Sequence, residues 1–251
     1  MSAPLPDAEV VFGDLRVRVR ALCGHDELPL AAEDTRTSIA LLDALIEAPE
    51  GAADTLTTPE RDRLLAEVWR RTYGPRVRSS PRCAACDRPF DADFDLDVLM
   101  AAVWPSAPPR ELRAADRRWR IPNGADELAI AGLDPQGAEI ALARRCAIDA
   151  AEADPLAAAA FAAALDEQAP VLDLELDARC PECGHGNRVA FRLQTFLLRA
   201  LRQERSRLLM QVHRLAAAYG WTLADILSLA RDTRLQLVAL IEADATARRA
   251  A

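Results

Sequence analysis

Four of the six cysteines form two Cys-x-x-Cys pairs, Cys83-Ala84-Ala85-Cys86 and Cys180-Pro181-Glu182-Cys183. Two intervening residues let both thiolates of a knuckle reach one ion, and a structural zinc site takes four soft ligands in a tetrahedron. Each pair supplies half of such a site. The sequence therefore predicts one structural zinc ion shared by Cys83, Cys86, Cys180 and Cys183. The residue after each pair must turn backbone amides toward the sulfurs with a positive φ. Gly184 does this freely, and Asp87 does it at a smaller penalty than most residues.

Other chemistries fit these residues less well. Thioredoxin-type dithiols open a helix, where the dipole lowers the thiolate pKa, whereas strand-like residues follow both pairs here. His185 and His25 are the histidines that would replace a cysteine ligand, but His185 lies too close to Cys183 for comfortable coordination within one knuckle. A relic site without metal is the remaining reading. Cys23 and Cys146 sit among apolar residues and read as buried, unliganded thiols. His213 reads as a packed or capping histidine within a helix. The series Asp91, Asp93, Asp95, Asp97 superficially resembles a calcium loop, yet Leu96 stands where the loop needs glycine and Ala102 where it needs glutamate, so a solvated strand face is expected. Arg117-Arg118 and Arg248-Arg249 are expected to face solvent. No phosphate loop, nucleophile elbow, zinc-hydrolase helix or dinucleotide fingerprint occurs, so no catalytic residue is assigned and no enzyme is expected.

The elements that must position the cysteines follow from periodicity. Leu15, Val17, Val19 and Ala21 alternate with arginines, which predicts a strand within Val10 to Leu22 and a hairpin turning at Gly13-Asp14. Asp26 to Ala48 reads as helical, and a loop with Gly51 follows. Thr58-Pro59-Glu60 starts a helix that runs to Gly74, with the hydroxyl of Thr58 as N-cap. Phe90, Ala92, Phe94 and Leu96 then alternate with aspartates, a strand leaving the first knuckle. Trp104 to Pro122, rich in proline and arginine, reads as a flexible connection. Helical stretches follow over Asp126 to Ala131, Gln136 to Ala151 and Pro155 to Glu167. From Pro170 a strand carrying Leu172, Leu174 and Leu176 enters the second knuckle, and Val189, Phe191 and Leu193 alternate beyond it, so this knuckle should sit at a hairpin tip. One long helix is expected from Thr195 to Tyr219, ended by Gly220 in the left-handed region. Thr222 and Asp225 open a short helix, and a last one covers Asp232 to Thr246.

Both pairs thus repeat one plan of strand, Cys-x-x-Cys, strand, helix. The expected fold is α+β, mainly helical, with two small β-hairpin zinc knuckles sharing one four-cysteine site and a C-terminal helical bundle. Three regions are expected: residues 1–103 with the first knuckle, 104–169 as middle linker and helices, and 170–251 with the second knuckle and the bundle.

With 251 residues, 51% apolar and 28% charged, the chain can bury a substantial core. All 31 basic residues are arginine, and the net charge of −8 argues against nucleic acid as a partner. No export signal and no membrane span are expected, which points to the cytoplasm, where close cysteine pairs mean metal or redox chemistry rather than disulfides.

The order of several motifs resembles the baseplate assembly proteins of contractile phage tails, related to a hub assembly protein of T-even phages. The matching stretches are Leu56-Thr57-Thr58-Pro59-Glu60-Arg61-Asp62-Arg63-Leu64-Leu65, Tyr73-Gly74, the first cysteine pair with its acidic strand, Trp119-Arg120-Ile121-Pro122 with Asp126 and Leu128, and Leu142 to Cys146. They continue with Cys180-Pro181-Glu182-Cys183-Gly184 and end in Val212-His213-Arg214-Leu215-Ala216 through Tyr219-Gly220-Trp221-Thr222 to Ile226-Leu227. Together they cover roughly Leu15 to Glu242, and the Tyr-Gly-Trp segment coupled to the preceding knuckle is the most specific. Asp87 departs from the glycine more usual there, and Leu235 to Val238 lacks an expected aromatic residue. The resemblance implies a non-enzymatic assembly protein of a phage-like contractile tail or injection-system baseplate, cytoplasmic or incorporated into the particle. Its implied partners are baseplate, hub, spike or tape-measure proteins. The reading set beside it is a zinc-ribbon nucleic-acid adaptor, which would need arginines gathered on one face.

Overall fold

The computed structural model describes residues 8–12, 15–47, 52–104, 109–149 and 154–250. In chain order the elements are β1 (Ala8–Phe12), β2 (Leu15–Val19), α1 (Gly24–Glu27), α2 (Thr35–Leu45), a short 3-10 turn (Ala52–Asp54), α3 (Thr58–Tyr73), β3 (Arg76–Val77), β4 (Phe94–Asp95) and α4 (Leu96–Val103). They continue with β5 (Glu111–Ala114), β6 (Arg117–Arg120), α5 (Gly124–Ile130), α6 (Pro135–Cys146), α7 (Pro155–Gln168), β7 (Asp173–Arg179) and β8 (Gly186–Arg192). Last come α8 (Leu193–Gln203), α9 (Arg205–Tyr219), α10 (Leu223–Ser228) and α11 (Arg231–Ala250). The fold is α+β: helices surround antiparallel two-stranded ribbons β1–β2, β3–β4, β5–β6 and β7–β8. The turn expected at Gly13-Asp14 and the loop with Gly51 lie outside the described residues.

Local chemistry sets the boundaries. The N-cap of α3 is Thr57, one residue before the expected Thr58; its backbone N–H and hydroxyl both donate to the Glu60 carboxylate, at 2.9 and 2.8 Å. Gly220 ends α9 at φ 69°, and Thr222 with Asp225 forms the capping box that opens α10. Asp26 to Ala48 divides into α1 and α2, because Asp34 caps a fresh start by accepting from the Thr37 N–H. The expected helix from Thr195 to Tyr219 is likewise two helices, α8 and α9, which meet at Glu204. The Glu204 carboxylate accepts from the Tyr73 hydroxyl and from Arg231.

The main core joins the two ends of the chain. Leu42 and Leu45 of α2, Leu64 and Leu65 of α3, and Leu197 and Leu198 of α8 are all at most 1% exposed, and Leu172 and Phe191 at the base of the β7–β8 hairpin join them. Full burial of each such side chain stabilises the fold by about 1.5–3 kcal/mol. A second cluster disagrees with the flexible connection expected over Trp104 to Pro122. Strands β5 and β6 pair there, and Trp119, fully buried, stacks on Phe161 of α7 with ring centroids 4.8 Å apart. Trp104 is buried as well, and its indole N–H donates to the Pro170 carbonyl at 2.7 Å. The pattern looks weak because few inward residues, among them Leu112, Trp119 and Ile121, carry the packing, while arginines at half-buried or exposed positions fill much of the two strands.

At the C-terminus Leu215, Ile226 and Val238 form a small core of α9, α10 and α11. Glu27 of α1 ties this bundle to the N-terminal region. Its carboxylate accepts from Arg231 at 2.7 Å and from Arg234 at 2.6 Å, and Arg234 is fully buried.

Candidate metal centre

Each knuckle folds by the same two backbone hydrogen bonds. In the first, the Cys83 N–H donates to the Arg88 carbonyl and the Asp87 N–H donates back to the Cys83 carbonyl, at 3.0 and 2.9 Å. In the second, the Cys180 N–H donates to the His185 carbonyl and the Gly184 N–H to the Cys180 carbonyl, both at 2.9 Å. The tight turn needs a left-handed residue after each second cysteine, and Asp87 (φ 57°) and Gly184 (φ 74°) supply it as the sequence predicts. The plan of strand, knuckle, strand, helix also repeats, as β3, β4 and α4 around the first pair and β7, β8 and α8 around the second.

The supporting strands differ in length. The second knuckle sits at the tip of a seven-residue-per-strand hairpin, where Arg179 faces Gly186 across the ladder. The strand expected from Phe90 to Leu96 is reduced to Phe94–Asp95. The Asp95 carboxylate accepts from the Asp97 and Val98 amides and so starts a helix at Leu96. The period of two persists in burial: Phe90 and Leu96 are buried, Ala92 and Phe94 half-buried, and the four aspartates exposed. Those aspartates serve as a cap and as partners of Arg76 and Ser80, and do not form a cation cage.

The two tips face each other. The four sulfurs all lie within 4.8 Å of one another; Cys83 Sγ is 3.6 Å from Cys183 Sγ, and Cys86 Sγ is 3.9 Å from Cys180 Sγ. These separations are far beyond the roughly 2.05 Å of a disulfide bond. They suit a tetrahedron with metal–sulfur arms of about 2.3 Å, whose edges measure about 3.8 Å. All four sulfurs point inward from protein, so one ion held here would have its tetrahedral positions filled. Cys83 and Cys180 are buried, Cys86 half-buried and Cys183 exposed.

Burial pushes the Cys83 thiol up, but the Cys86 and Ala85 amides, the Cys183 thiol and the Asn187 side chain outweigh it and bring the thiol below its ordinary range. Cys183 moves the opposite way: the His185 amide lowers it, while burial and three neighbouring sulfurs raise it further. A metal ion held here would displace the remaining thiol protons.

Sequence reasoning missed two groups that fix this geometry. Asn187, 8% exposed, accepts from the Ala84 N–H at 2.9 Å, and its amide donates to the His185 carbonyl at 3.0 Å and to Cys83 Sγ at 3.7 Å. The available signal was a polar residue on the inward phase of β8, in step with Val189 and Phe191. Arg88 and Glu182 form an exposed ion pair at 2.6 Å that bridges the knuckles, a pairing that no local pattern announces.

The other residues singled out in the sequence lie elsewhere. His25, His185 and His213 are exposed, so His213 is not packed. Cys146 is fully buried, and burial pushes its thiol up to about 12. Cys23 is only half-buried, beside Arg20 and Asp26. Arg118, Arg248 and Arg249 are exposed and Arg117 is half-buried. No helix among the described residues is long and apolar enough to cross a membrane. No family model, no curated protein and no solved structure matches the chain.

Proposed function

We propose that the four cysteines hold one structural zinc ion, and that the protein is a non-enzymatic assembly factor of a phage-like contractile tail or injection-system baseplate. The observation that carries the structural role is the closed ligand set. Four sulfurs from two facing knuckles take up every position of a tetrahedral ion, whereas catalytic zinc keeps one position open for water or substrate. Tetrahedral sulfur coordination favours zinc over the harder divalent cations. The baseplate assignment draws on the ordered motifs from Leu56 to Leu227 described above and on the surface that the C-terminal bundle offers to partners. There Tyr219 and Trp221 stack at 4.8 Å while each stays about two-fifths exposed, next to exposed Leu223. An assembly factor works by presenting such surfaces from a rigid frame, and the shared metal supplies the frame.

Co-expression with hub, spike, baseplate and tape-measure proteins of one tail system tests this. Stable co-purification with one of them, together with failure of baseplate assembly when the gene is deleted, is the expected result. Normal assembly without the protein, or retention on DNA or RNA at low salt with a steep salt dependence, would count against it and favour the nucleic-acid reading.

A further inference from the structure

Two stretches 100 positions apart repeat one sequence, Arg20-Ala21-Leu22-Cys23-Gly24-His25-Asp26-Glu27-Leu28 and Arg120-Ile121-Pro122-Asn123-Gly124-Ala125-Asp126-Glu127-Leu128. Each begins at the end of a two-stranded ribbon, β1–β2 or β5–β6, and continues into a short helix, α1 or α5. In each, the arginine grips the aspartate with its two terminal nitrogens, and that aspartate also accepts the N–H of the helix cap, Cys23 at 2.8 Å or Asn123 at 3.1 Å. Asp34 and Asp134 then cap α2 and α6, whose C-caps, Ile46 and Ala147, bridge back to Val19 and Trp119 of the ribbons. The metal centre continues the duplication. Exchanging the two halves turns the Cys83–Cys183 contact into Cys180–Cys86 and returns Phe94–Phe191 to itself, which is the contact pattern of a pseudo-two-fold pair.

Both repeated stretches hold the start of a long helix in the same way. At the first, Ala230 bridges to Cys23, the Arg231 N–H donates to the Leu22 carbonyl at 2.8 Å, and Arg234, four residues past the bridge, donates to Glu27 at 2.6 Å. At the second, Thr57 bridges to Asn123, the Thr58 N–H donates to the Pro122 carbonyl at 2.9 Å, and Arg61, again four residues past the bridge, donates to Glu127 at 2.6 Å. A leucine, Leu229 or Leu56, precedes each bridging residue. The glycines permit the close approach: a Cβ on Gly24 would stand 3.0 Å from Leu227 Cα, and one on Gly124 would stand 3.3 Å from the Asp54 carbonyl oxygen, each three residues before the bridge.

The two occupants differ in origin. The second stretch takes α3 from the other half of the duplication, whereas the first takes α11 of the C-terminal bundle. In α7, the counterpart of α3, Ala158 stands at the place of Arg61, so α7 lacks the arginine that both occupants share. Helix α3 is also fixed in the main core by Leu64 and Leu65, while among the described residues no apolar cluster joins the bundle to that core. We propose that residues 20–28 and 120–128 are one recognition socket used twice, specific for a helix start with leucine, a bridging residue and arginine four residues beyond it, and that the first socket attaches the C-terminal bundle as a separate arm. Glu27 and Glu127 select the arginine, because its guanidinium is buried in both pairs and needs a carboxylate there. This inference stands independently of the tail assignment.

The test follows hydrogen exchange in the full metal-loaded chain at two amides, position 231 for the first socket and Thr58 for the second. Gly24→Ala should cost the amide at 231 about ten-fold or more of its protection, while the Thr58 amide and zinc content stay unchanged. Giving α11 the start of α3, by Ala230→Thr, Arg231→Thr, Asp232→Pro and Thr233→Glu together, should keep the amide at 231 within about ten-fold of its original protection, because Arg234 is retained; adding Arg234→Ala should lower it by at least about a further hundred-fold. Unchanged protection at 231 in Gly24→Ala, loss of docking in the graft that keeps Arg234, or indifference to Arg234→Ala would overturn the shared socket. Loss of zinc or of Thr58 protection together with position 231 in Gly24→Ala would show bundle and body opening as one, and would overturn the separate arm.

Discussion

Cys180→Ser tests whether the two knuckles share one site, because Cys86 and Cys180 lie 94 positions apart and their sulfurs meet at 3.9 Å across the two tips. The roots of both knuckles are fixed at the Phe94–Phe191 contact, and the tips meet about eight residues beyond it on each side. Direct polar contacts across the tips are few and weak. The hydrogen bond from the Ala84 N–H to Asn187 contributes about 1 kcal/mol, and the exposed Arg88–Glu182 pair about 0–1 kcal/mol. Phe90 packs with Cys83 and Cys180 in one small buried cluster. A bound ion, by contrast, contributes about 10–16 kcal/mol in small zinc peptides. With one ligand removed, metal content should fall below one ion per chain, and the tips should open in a large fraction of molecules. Amides of Cys83, Asp87 and Phe90, each hydrogen-bonded within the first knuckle, should lose at least about three orders of magnitude of exchange protection, while α8 amides keep theirs. Unchanged protection across Arg82 to Phe94 in the variant would refute the shared site and assign each pair to a separate one.

Three further outcomes follow from other parts of the molecule. Burial raises the Asp62 carboxyl from the ordinary value near 3.9 to about 6, against Arg61 and the Leu172 N–H, so its ionisation favours the unfolded chain. The cost is absent below about pH 3.9, grows as pH rises through about 6 and reaches about 3 kcal/mol above it. Asp62→Asn should therefore stabilise the protein in urea unfolding at pH 7.5 and lose that gain by about pH 3.5; no gain at pH 7.5 would contradict this sign. Glu27→Gln leaves buried Arg234 without its counter-charge and should cost about 3–5 kcal/mol, whereas the double variant Glu27→Gln with Arg234→Met should recover part of it in the same unfolding assay. At the left-handed position of the first knuckle, Asp87→Gly should leave metal affinity unchanged, and Asp87→Val should weaken it through strain of about 1–2 kcal/mol, as read by competition with a chelator.

The parts of the structure that were legible in the sequence are those governed by local rules. Two-residue spacing within each cysteine pair, a left-handed residue after it, glycine at the end of α9 and the Thr222–Asp225 box each act within a few positions, and each appears where expected. Three errors came from reading alternation or helical period across a capping position. Asp95 converts the tail of an apparent strand into α4, Asp34 starts α2 afresh inside one apparent helix, and Glu204 stands at the junction of α8 and α9, where its partners, Tyr73 and Arg231, are remote in sequence. The hairpin around Trp119 was hidden for a different reason: its stability comes from stacking on Phe161, which composition over Trp104 to Pro122 cannot register. Asn187 bridges the knuckles through Ala84, and such a contact emerges only once the two halves have met.

Native mass spectrometry of the chain reconstituted with zinc and with cobalt(II) tests whether the four cysteines hold one shared ion. One ion per chain is expected and, for cobalt, the absorption of a tetrahedral four-thiolate site. Both should disappear together when any one of Cys83, Cys86, Cys180 or Cys183 becomes serine, and both should persist in Cys23→Ser and Cys146→Ser. Two ions per chain, one ion bridging two chains, or stoichiometric binding that survives loss of one pair would contradict it.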